Sequence, residues 1–89
     1  MSEDGTARVV LYGRQGCHLC DDARALVTEL AAEAGAGWRE VDVDEVGGAT
    51  LEEYGELVPV VEVDGVRQGY WRISADRVRR ALASGPREP

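Results

Sequence analysis

Two cysteines separated by two residues are the feature of this sequence best suited to do chemistry. Cys17, His18, Leu19 and Cys20 form a Cys-His-Leu-Cys motif, and the chain of 89 residues has no other cysteine. A disulfide between Cys17 and Cys20 would enclose almost no chain, so it would add little loop-closure stability. The pair is therefore interpreted as a reactive dithiol rather than as a structural crosslink.

The two cysteines are predicted to have different roles because one lies at the start of a helix and the other lies inside it. The thiolate is the nucleophile of thiol–disulfide exchange, and free N–H groups at a helix N-terminus stabilise it. We therefore predict that Cys17 is the exposed nucleophile. Cys20, one turn further in, is predicted to be more buried and to resolve a mixed disulfide on Cys17. Arg14 favours the Cys17 thiolate while Asp21 and Asp22 oppose it, and the sequence leaves the sum open.

The residues on either side of the motif predict a strand followed by a long helix. Arg8 to Tyr12 is an apolar run with β-branched residues, typical of a buried strand, and the segment Gly13 to Gly16 interrupts it. From about Cys17 to Ala34 the apolar residues repeat with helical spacing, and Gly35 is placed to end the helix. The apolar stripe consists of Ala23, Leu26, Val27, Leu30, Ala31 and Ala34.

Shorter elements are predicted in the second half of the chain. Trp38 to Val43 is predicted to form a strand. Thr50 and Glu53 have the spacing of a capping box, which predicts the start of a short helix. Further on, Asp64-Gly65 predicts a hairpin turn and Ser74 predicts a helix N-cap. The strands that flank the turn are Val60–Val63 and Val66 to about Tyr70, and the last helix runs to Ser84.

This order of elements, β-α-β-α-β-β-α, predicts an α/β fold with a four-stranded mixed sheet flanked by helices. The helix between the first two strands makes them parallel, and the hairpin adds an antiparallel pair. We treat residues 1–89 as one domain, because a chain of this length supplies only one small core. The ordered core is expected to span about 7–84, with short polar ends that are poorly ordered.

The composition disfavours several classes of function. Ten arginines, no lysine and seventeen acidic residues give a net charge of −7, which disfavours binding to nucleic acid or to an anionic membrane. The apolar runs are too short to span a bilayer, and the acidic N-terminus lacks the features of a secretory signal. We therefore expect a cytoplasmic protein with no nucleic-acid or membrane partner.

Two segments resemble the glutaredoxin-like family of the thioredoxin superfamily. Tyr12 to Cys20 resembles the glutaredoxin signature, and Val58-Pro59-Val60 resembles the proline segment of the thioredoxin fold. The likeness covers Arg8 to about Leu82 and is greatest to small bacterial glutaredoxin-like proteins with a Cys-His-Leu-Cys motif. It implies a thioredoxin-like fold of the glutaredoxin type. It also implies a thiol–disulfide oxidoreductase that acts on disulfides of proteins or of low-molecular-weight thiols.

The resemblance also implies which residues contact a substrate that reacts with Cys17. It implies that a cis peptide bond precedes Pro59, that Pro59 faces the dithiol, and that the Val58 backbone pairs with the substrate. Arg14 occupies the place of a basic residue common three positions before the first cysteine of glutaredoxins. His18, inside the motif, and Tyr70, after the fourth strand, are added as candidates because of their positions. The substrate-binding candidates are therefore Arg14, His18, Val58, Pro59 and Tyr70.

The segment after the predicted fourth strand departs from the family pattern. Tyr70 and Trp71 either form a substrate platform near the dithiol, or only cover the sheet edge or pack on the last helix. Arg72 aligns with the Asp that holds glutathione in glutaredoxins, and a cation there would repel the ammonium group of glutathione. Asp76 is the nearest substitute. No tightly bound cofactor is expected, and a low-molecular-weight thiol, glutathione or another, is the candidate reductant.

Two other classes of function stay open from the sequence. A metal or iron–sulfur cluster protein would use Cys17 and would need two chains to share the ion or cluster, because one chain offers too few ligands. In that case His18 would be an adjacent candidate ligand. A redox-inert adaptor would keep the fold in order to bind a partner protein. For the oxidoreductase, the expected partners are disulfide-containing proteins or small thiols, and the expected state is a monomer.

Overall fold

The computed structural model describes residues 7–84, and every structural statement below concerns this part of the chain. Its elements are β1 (Ala7–Gly13), α1 (His18–Ala34), β2 (Gly37–Asp42), α2 (Val43–Val46), α3 (Gly48–Tyr54), β3 (Val60–Val63), β4 (Val66–Tyr70) and α4 (Ala75–Ala83). None of these helices is long and apolar enough to cross a membrane. The expectation of poorly ordered ends, at 1–6 and 85–89, lies outside the described residues.

The four strands form one mixed sheet in the order β2-β1-β3-β4. β1 runs parallel to β2 and antiparallel to β3, and β3 pairs antiparallel with β4. The turn between β3 and β4 is made by Asp64 and Gly65, whose φ angles are 53° and 83°. Two-residue hairpin turns of this kind need left-handed φ values at both positions. The predicted mixed sheet and the predicted hairpin are both confirmed.

The ends of α1 and α4 confirm the helix signals in the sequence. Ser74 caps α4, because its Oγ accepts the Arg77 N–H at 3.2 Å. Gly35 ends α1 with a left-handed φ of 66°, and its N–H bonds to the carbonyls of Ala31 and Ala32. Residues other than glycine rarely adopt this φ, so the position of Gly35 sets the length of α1.

The main core lies between one face of the sheet and the helices α1 and α4. Residues alternate along β1, so Val9 and Leu11 point into this core while Tyr12 lies on the opposite face. The predicted stripe of α1 is buried along most of its length, and Ala34 at its end is exposed. The buried members of the core are Val9, Leu11, Ala23, Val27, Leu30, Val61, Val63, Val78 and Leu82.

A smaller apolar cluster, on the opposite face, attaches α2 and α3 to the sheet. It buries Val43, Tyr54 and Val60. The hydroxyls of Tyr12 and Tyr54 donate to the two oxygens of the Glu62 carboxylate at 3.2 and 2.7 Å. Burial and the adjacent carboxylate raise the pKa of Tyr54 to about 12. The two tyrosine hydroxyls of this face are therefore both satisfied by one carboxylate.

The segment around α2 differs from the sequence prediction. The predicted strand Trp38–Val43 ends one residue early, because the Asp42 carboxylate accepts backbone N–H groups of the next residues and caps α2. The predicted capping box is wrong, since Thr50 lies inside α3, which begins at Gly48. Gly47 has a φ of 59°, and this left-handed value redirects the chain into a new helix without a side-chain cap. The result is one short helix more than the sequence predicted.

Candidate functional site

The dithiol lies where the chain leaves β1 and enters α1. β1 ends at Gly13, and a turn follows at Gln15 and Gly16, in which Gly16 has a left-handed φ of 75°. Cys17 is then the N-cap of α1, with an extended backbone at φ −106° and ψ 112°. The strand and the turn together place the first cysteine at the N-terminus of a long helix.

Cys17 is half-buried, and its sulfur takes the place of a capping oxygen. The Cys17 Sγ accepts the N–H of Cys20 at 3.1 Å, as the side-chain oxygen of a Ser or Asp cap would. The free N–H groups and the dipole at this end of a helix favour negative charge, so they stabilise a thiolate on this sulfur. Cys17 as a residue is partly exposed, in contrast to Cys20.

Cys20 lies one turn deeper and is fully buried. Burial, followed by its hydrogen bond to Cys17, raises the pKa of the Cys20 thiol to about 11. The Arg14 backbone and the Arg24 guanidinium act in the opposite direction with smaller effect. Cys20 is therefore a neutral thiol at neutral pH. The two cysteines differ in burial in the direction that the sequence indicated.

Gly13 allows β1 to approach the buried sulfur closely. A Cβ at this position would lie 3.3 Å from the Cys20 Sγ and 3.7 Å from Glu40 Oε2. The first distance is shorter than most contacts made by a real Cβ, so a side chain here would displace the Cys20 sulfur. Sequence reasoning treated Gly13 only as a strand break. The sequence did contain a signal for this contact, because a glycine at the end of an apolar strand often marks the close approach of another group.

Two of the three charged residues that the sequence placed around Cys17, Arg14 and Asp21, form ion pairs with other groups. Arg14 forms a two-pronged ion pair with Asp44, with N–O distances of 2.7 and 3.1 Å. The Asp21 carboxylate accepts from Arg24 at 2.8 Å. These two charges are offset by close partners, whereas Asp22 has no ion pair in the described part of the chain. Asp22 opposes a thiolate on Cys17, and the helix N-terminus favours one.

Arg14 and His18, two of the substrate-binding candidates, flank Cys17 in the chain. The Arg14 guanidinium also donates to the Gly55 carbonyl at 2.7 Å, so it ties the loop before Cys17 to the end of α3. His18 is exposed in the first turn of α1, and within residues 7–84 it makes no hydrogen bond or ion pair. Contact of either side chain with a substrate stays a prediction.

The Val58–Pro59 peptide bond is cis, as the resemblance implied. Pro59 is buried, and Val58 is half-buried against the cluster around Tyr54. The Trp71 N–H lies between two carbonyls of this loop, 3.3 Å from Leu57 and 2.9 Å from Pro59. The N–H and C=O of Val58 itself have no backbone partner in the described part of the chain.

Tyr70 and Trp71 form an exposed aromatic pair at the end of β4. Their rings meet edge to face with centroids 5.2 Å apart, and their exposed fractions are 43% and 53%. Trp71 has a left-handed φ of 62°, which costs such a residue about 1–2 kcal/mol. Its backbone N–H and its indole N–H, which donates to the Glu56 carbonyl at 3.1 Å, hold it in place. The two rings are thus exposed rather than packed on α4.

A groove joins this aromatic pair to the cysteine motif. Two cavities of about 180 and 430 Å³ share Leu19, Trp71 and Arg72 as lining residues. Leu19 continues the apolar stripe of α1 one turn beyond Ala23, past the edge of the main core, and is 37% exposed. We call the two cavities together the Leu19–Trp71 groove. Sequence reasoning did not single out Leu19, although its place on the stripe was the available signal.

The acidic residue proposed as a substitute for the glutathione-holding Asp is paired with an arginine instead. Asp76 lies in the first turn of α4, where it forms an ion pair with Arg79 at 3.4 Å, and it does not line the groove. Residues 7–84 contain no group of three or more His, Cys, Asp and Glu side chains that could hold a metal ion.

The chain is similar to proteins of one family and one fold. The model of the family described as Glutaredoxin-like domain (DUF836) matches residues 8–83. An uncharacterized protein of Mycobacterium tuberculosis is 34% identical over 80 residues, which cover 85% of this chain and 82% of that protein. The X-ray structure of a structural genomics target from X. campestris has 37% identity and a TM-score of 0.63, covering 88% of this chain and 99% of that one. Glutaredoxin C1 from Populus tremula x tremuloides, at 22% identity, covers 89% of this chain and 78% of its own with a TM-score of 0.57, and it shows the shared thioredoxin-like fold.

Proposed function

This chain belongs to the Glutaredoxin-like domain (DUF836) family, and we propose that it is a thiol–disulfide oxidoreductase that cycles Cys17 and Cys20 between dithiol and disulfide. The observation that carries the proposal is the Sγ of the half-buried Cys17 at the N-terminus of α1, where it accepts the Cys20 N–H at 3.1 Å. The buried Cys20 supplies the second thiol. A close cysteine pair on a glutaredoxin-like fold is typical of thiol redox proteins.

Reduction of a substrate disulfide takes two exchange steps in this proposal. In the first, the Cys17 thiolate attacks one substrate sulfur, the substrate S–S bond breaks, and the other substrate sulfur leaves as a thiolate. In the second, Cys20 loses its proton and attacks the Cys17 Sγ, so the mixed disulfide breaks and the second substrate sulfur leaves. Two electrons pass from the Cys17–Cys20 pair to the substrate. The first leaving thiolate takes the proton of Cys20 and the second takes a proton from water, so the substrate becomes two thiols.

The different environments of the two cysteines suit this order. With a pKa of about 11, Cys20 stays protonated and unreactive until Cys17 carries a substrate. The thiolate that leaves in the first step is a base able to take the Cys20 proton for the second. The free N–H and C=O of Val58 would pair with an extended substrate chain, as the resemblance implies. The exposed side chains of His18 and Tyr70 are further predicted contacts.

The oxidised protein would be reduced again by two equivalents of a low-molecular-weight thiol, which become the corresponding disulfide. The substrates are disulfides of proteins or of small thiols, and no tightly bound cofactor takes part. We place the reaction in the cytoplasm, because a reducing compartment is needed to regenerate the dithiol.

The test is capture of the mixed disulfide by a matched pair of variants. Cys20→Ser keeps the nucleophile without the resolving thiol, so it should accumulate a mixed disulfide with hydroxyethyl disulfide, seen as an adduct by intact-protein mass spectrometry. Cys17→Ser keeps only the buried thiol and should form no adduct and lose all exchange. An adduct on Cys17→Ser but not on Cys20→Ser would contradict the assignment of roles.

The alternative classes give different results in the same set of proteins. A coloured, dimeric protein purified without oxygen, whose colour is lost in Cys17→Ser, would contradict the oxidoreductase and indicate a cluster. An adaptor would bind its partner protein equally well with either cysteine replaced. Neither result is expected.

A further inference from the structure

The Leu19–Trp71 groove is lined on one side by Leu19, in the first turn of the helix that Cys17 caps. Leu19 is two residues from Cys17 and lines both cavities of the groove. Trp71 also lines both, and its N–H bonds to the carbonyls on either side of Val58. The groove therefore lies between the helix that Cys17 caps and the loop that holds Val58, whose backbone is proposed to pair with a substrate.

We infer that this groove binds an extended segment of a protein substrate that carries an apolar side chain and a carboxylate next to its disulfide cysteine. The inference rests on the proposed function, because the groove matters only if Cys17 exchanges with the docked chain. It goes beyond that function by naming the class of substrate and the residues that select it. The selecting residues are Leu19, Tyr70, Trp71 and Arg72.

The residue types and their exposure favour a protein segment over a small thiol. Tyr70, Trp71 and Arg72 are consecutive and exposed, and Trp, Tyr and Arg are the residue types enriched in the hot spots of protein interfaces. The walls of the groove are open, whereas a small-molecule site encloses most of its ligand. Because hydrogen bonds already hold the Trp71 backbone and indole, little freedom is lost when a partner packs on the ring.

The charges of the groove favour a carboxylate on the partner. Arg72 supplies the one charged side chain among the residues that line the larger cavity, and within residues 7–84 it has no hydrogen bond or ion pair. Asp22, also without an ion pair in the described chain, lines the smaller cavity beside Arg72. It repels a carboxylate from the α1 side. The partner's acid is therefore directed into the larger cavity, and its apolar side chain towards Leu19 and Trp71.

The test compares two disulfide-bonded peptides that differ only in charge. One carries Leu and two Glu beside the reacting cysteine, and the other carries two Lys in place of the Glu. At about 0.15 M salt the Debye length is about 8 Å, so the net charge of −7, which would favour the Lys peptide, is largely screened. The wild-type protein should reduce the Glu peptide with a kcat/KM about two- to fivefold higher, the effect of one exposed ion pair.

Matched variants separate the effect of the groove on peptide preference from the effect of the net charge of the protein. Arg72→Glu should invert the preference, with most of the change in KM. Arg80→Glu changes the net charge equally on the exposed side of α4, outside the groove, and should leave the ratio of the two peptides unchanged.

A second comparison tests the apolar wall of the groove. Replacing the peptide Leu by Ser should slow the wild-type protein about two- to fivefold, since less apolar surface is buried. Leu19→Ser should lose this discrimination. Val66→Ser, at an exposed apolar residue of the β3–β4 hairpin, should keep it.

Other results of these experiments would overturn either the inference or the proposed function. Equal kcat/KM for the Glu and Lys peptides, equal shifts in Arg72→Glu and Arg80→Glu, or discrimination retained by Leu19→Ser would overturn the inference and leave the proposed function intact. Faster reduction of glutathione disulfide than of either peptide would also overturn it, in favour of a small-thiol site. If the wild-type protein reduces neither peptide nor hydroxyethyl disulfide, the proposed function itself fails.

Discussion

Replacing Cys17 with Ser leaves Cys20 as the only thiol in the chain, so the ionisation of the buried thiol can be followed alone. The substitution is conservative for the fold, because Ser is a favourable N-cap and can accept the same backbone N–H of α1. We expect Cys17→Ser to fold normally, which far-UV circular dichroism checks, and to hold a thiol that ionises only at high pH.

The magnitude follows from the surroundings of Cys20. In the wild-type protein its pKa is about 11, against an ordinary value of 9.0. A shift of this size lowers the thiolate fraction at pH 8 about 100-fold, from about one in ten to about one in a thousand. Burial is the largest cause and survives the substitution, whereas the contribution of the Cys17 sulfur is lost. The midpoint in Cys17→Ser should therefore lie above 9.0 and no higher than about 11.

The assay is the rate of alkylation by iodoacetamide between pH 7 and 11, read by intact-protein mass spectrometry. The same variant in urea is the internal control, because unfolding removes the burial and should return the midpoint to about 9. Cys20→Ser, which presents the half-buried Cys17, should be alkylated at least about tenfold faster than folded Cys17→Ser at pH 7. A midpoint at or below 9.0 in folded Cys17→Ser, or equal rates with and without urea, would refute a buried neutral thiol and with it the proposed order of steps.

Three further predictions concern the scaffold of the site. Leu11→Ala should lower the free energy of unfolding by about 2–5 kcal/mol in urea denaturation, because Leu11 is wholly buried on a central strand, and a loss below 1 kcal/mol would argue against that packing. Asp64→Asn should cost about 1–2 kcal/mol at pH 7, because the ion pair with Arg8, at 2.9 Å, is only about one-fifth exposed. Arg8 holds the pKa of Asp64 in the folded protein below 3.8. The extra free energy of unfolding of the wild-type protein is therefore present above about pH 4 and is lost as the pH falls through the pKa of Asp64 in the folded protein. Unfolding measured from pH 7 to pH 2 should show the stabilities of the two proteins converge. Tyr54→Phe should remove a phenol that titrates near pH 12 in ultraviolet absorbance and cost about 1 kcal/mol, because this hydroxyl donates to Glu62 at 2.7 Å. Loss of a phenol that titrates near the ordinary value of 10.0 instead would contradict the contact.

The candidate site was only partly predictable. The sequence indicated that Cys17 caps a helix and that Cys20 lies deeper, since both follow from a motif at a strand–helix junction. It did not indicate the partner of Arg14, because Asp44 lies 30 residues away and meets Arg14 only after α2 forms. The groove could not be predicted from the sequence either, because Leu19 and Trp71 line it together only once α1 and the loop after β4 are packed against each other.

Sequence signals that act over a few residues determined the strands and helices of this protein. Contacts between residues far apart in the chain decided the burial and the charge partners of individual side chains. Helical spacing, the Asp64-Gly65 turn and the Ser74 cap act within a few residues, so the order of strands and long helices could be derived from the sequence alone. Thr50 shows the limit, because its capping-box spacing was overridden when the turn at Gly47 began the helix earlier. Burial of Cys20, exposure of Trp71 and pairing of charges depend on which elements lie against each other. The tertiary structure alone decides those, because each is the result of desolvation and contact by residues far apart in the chain.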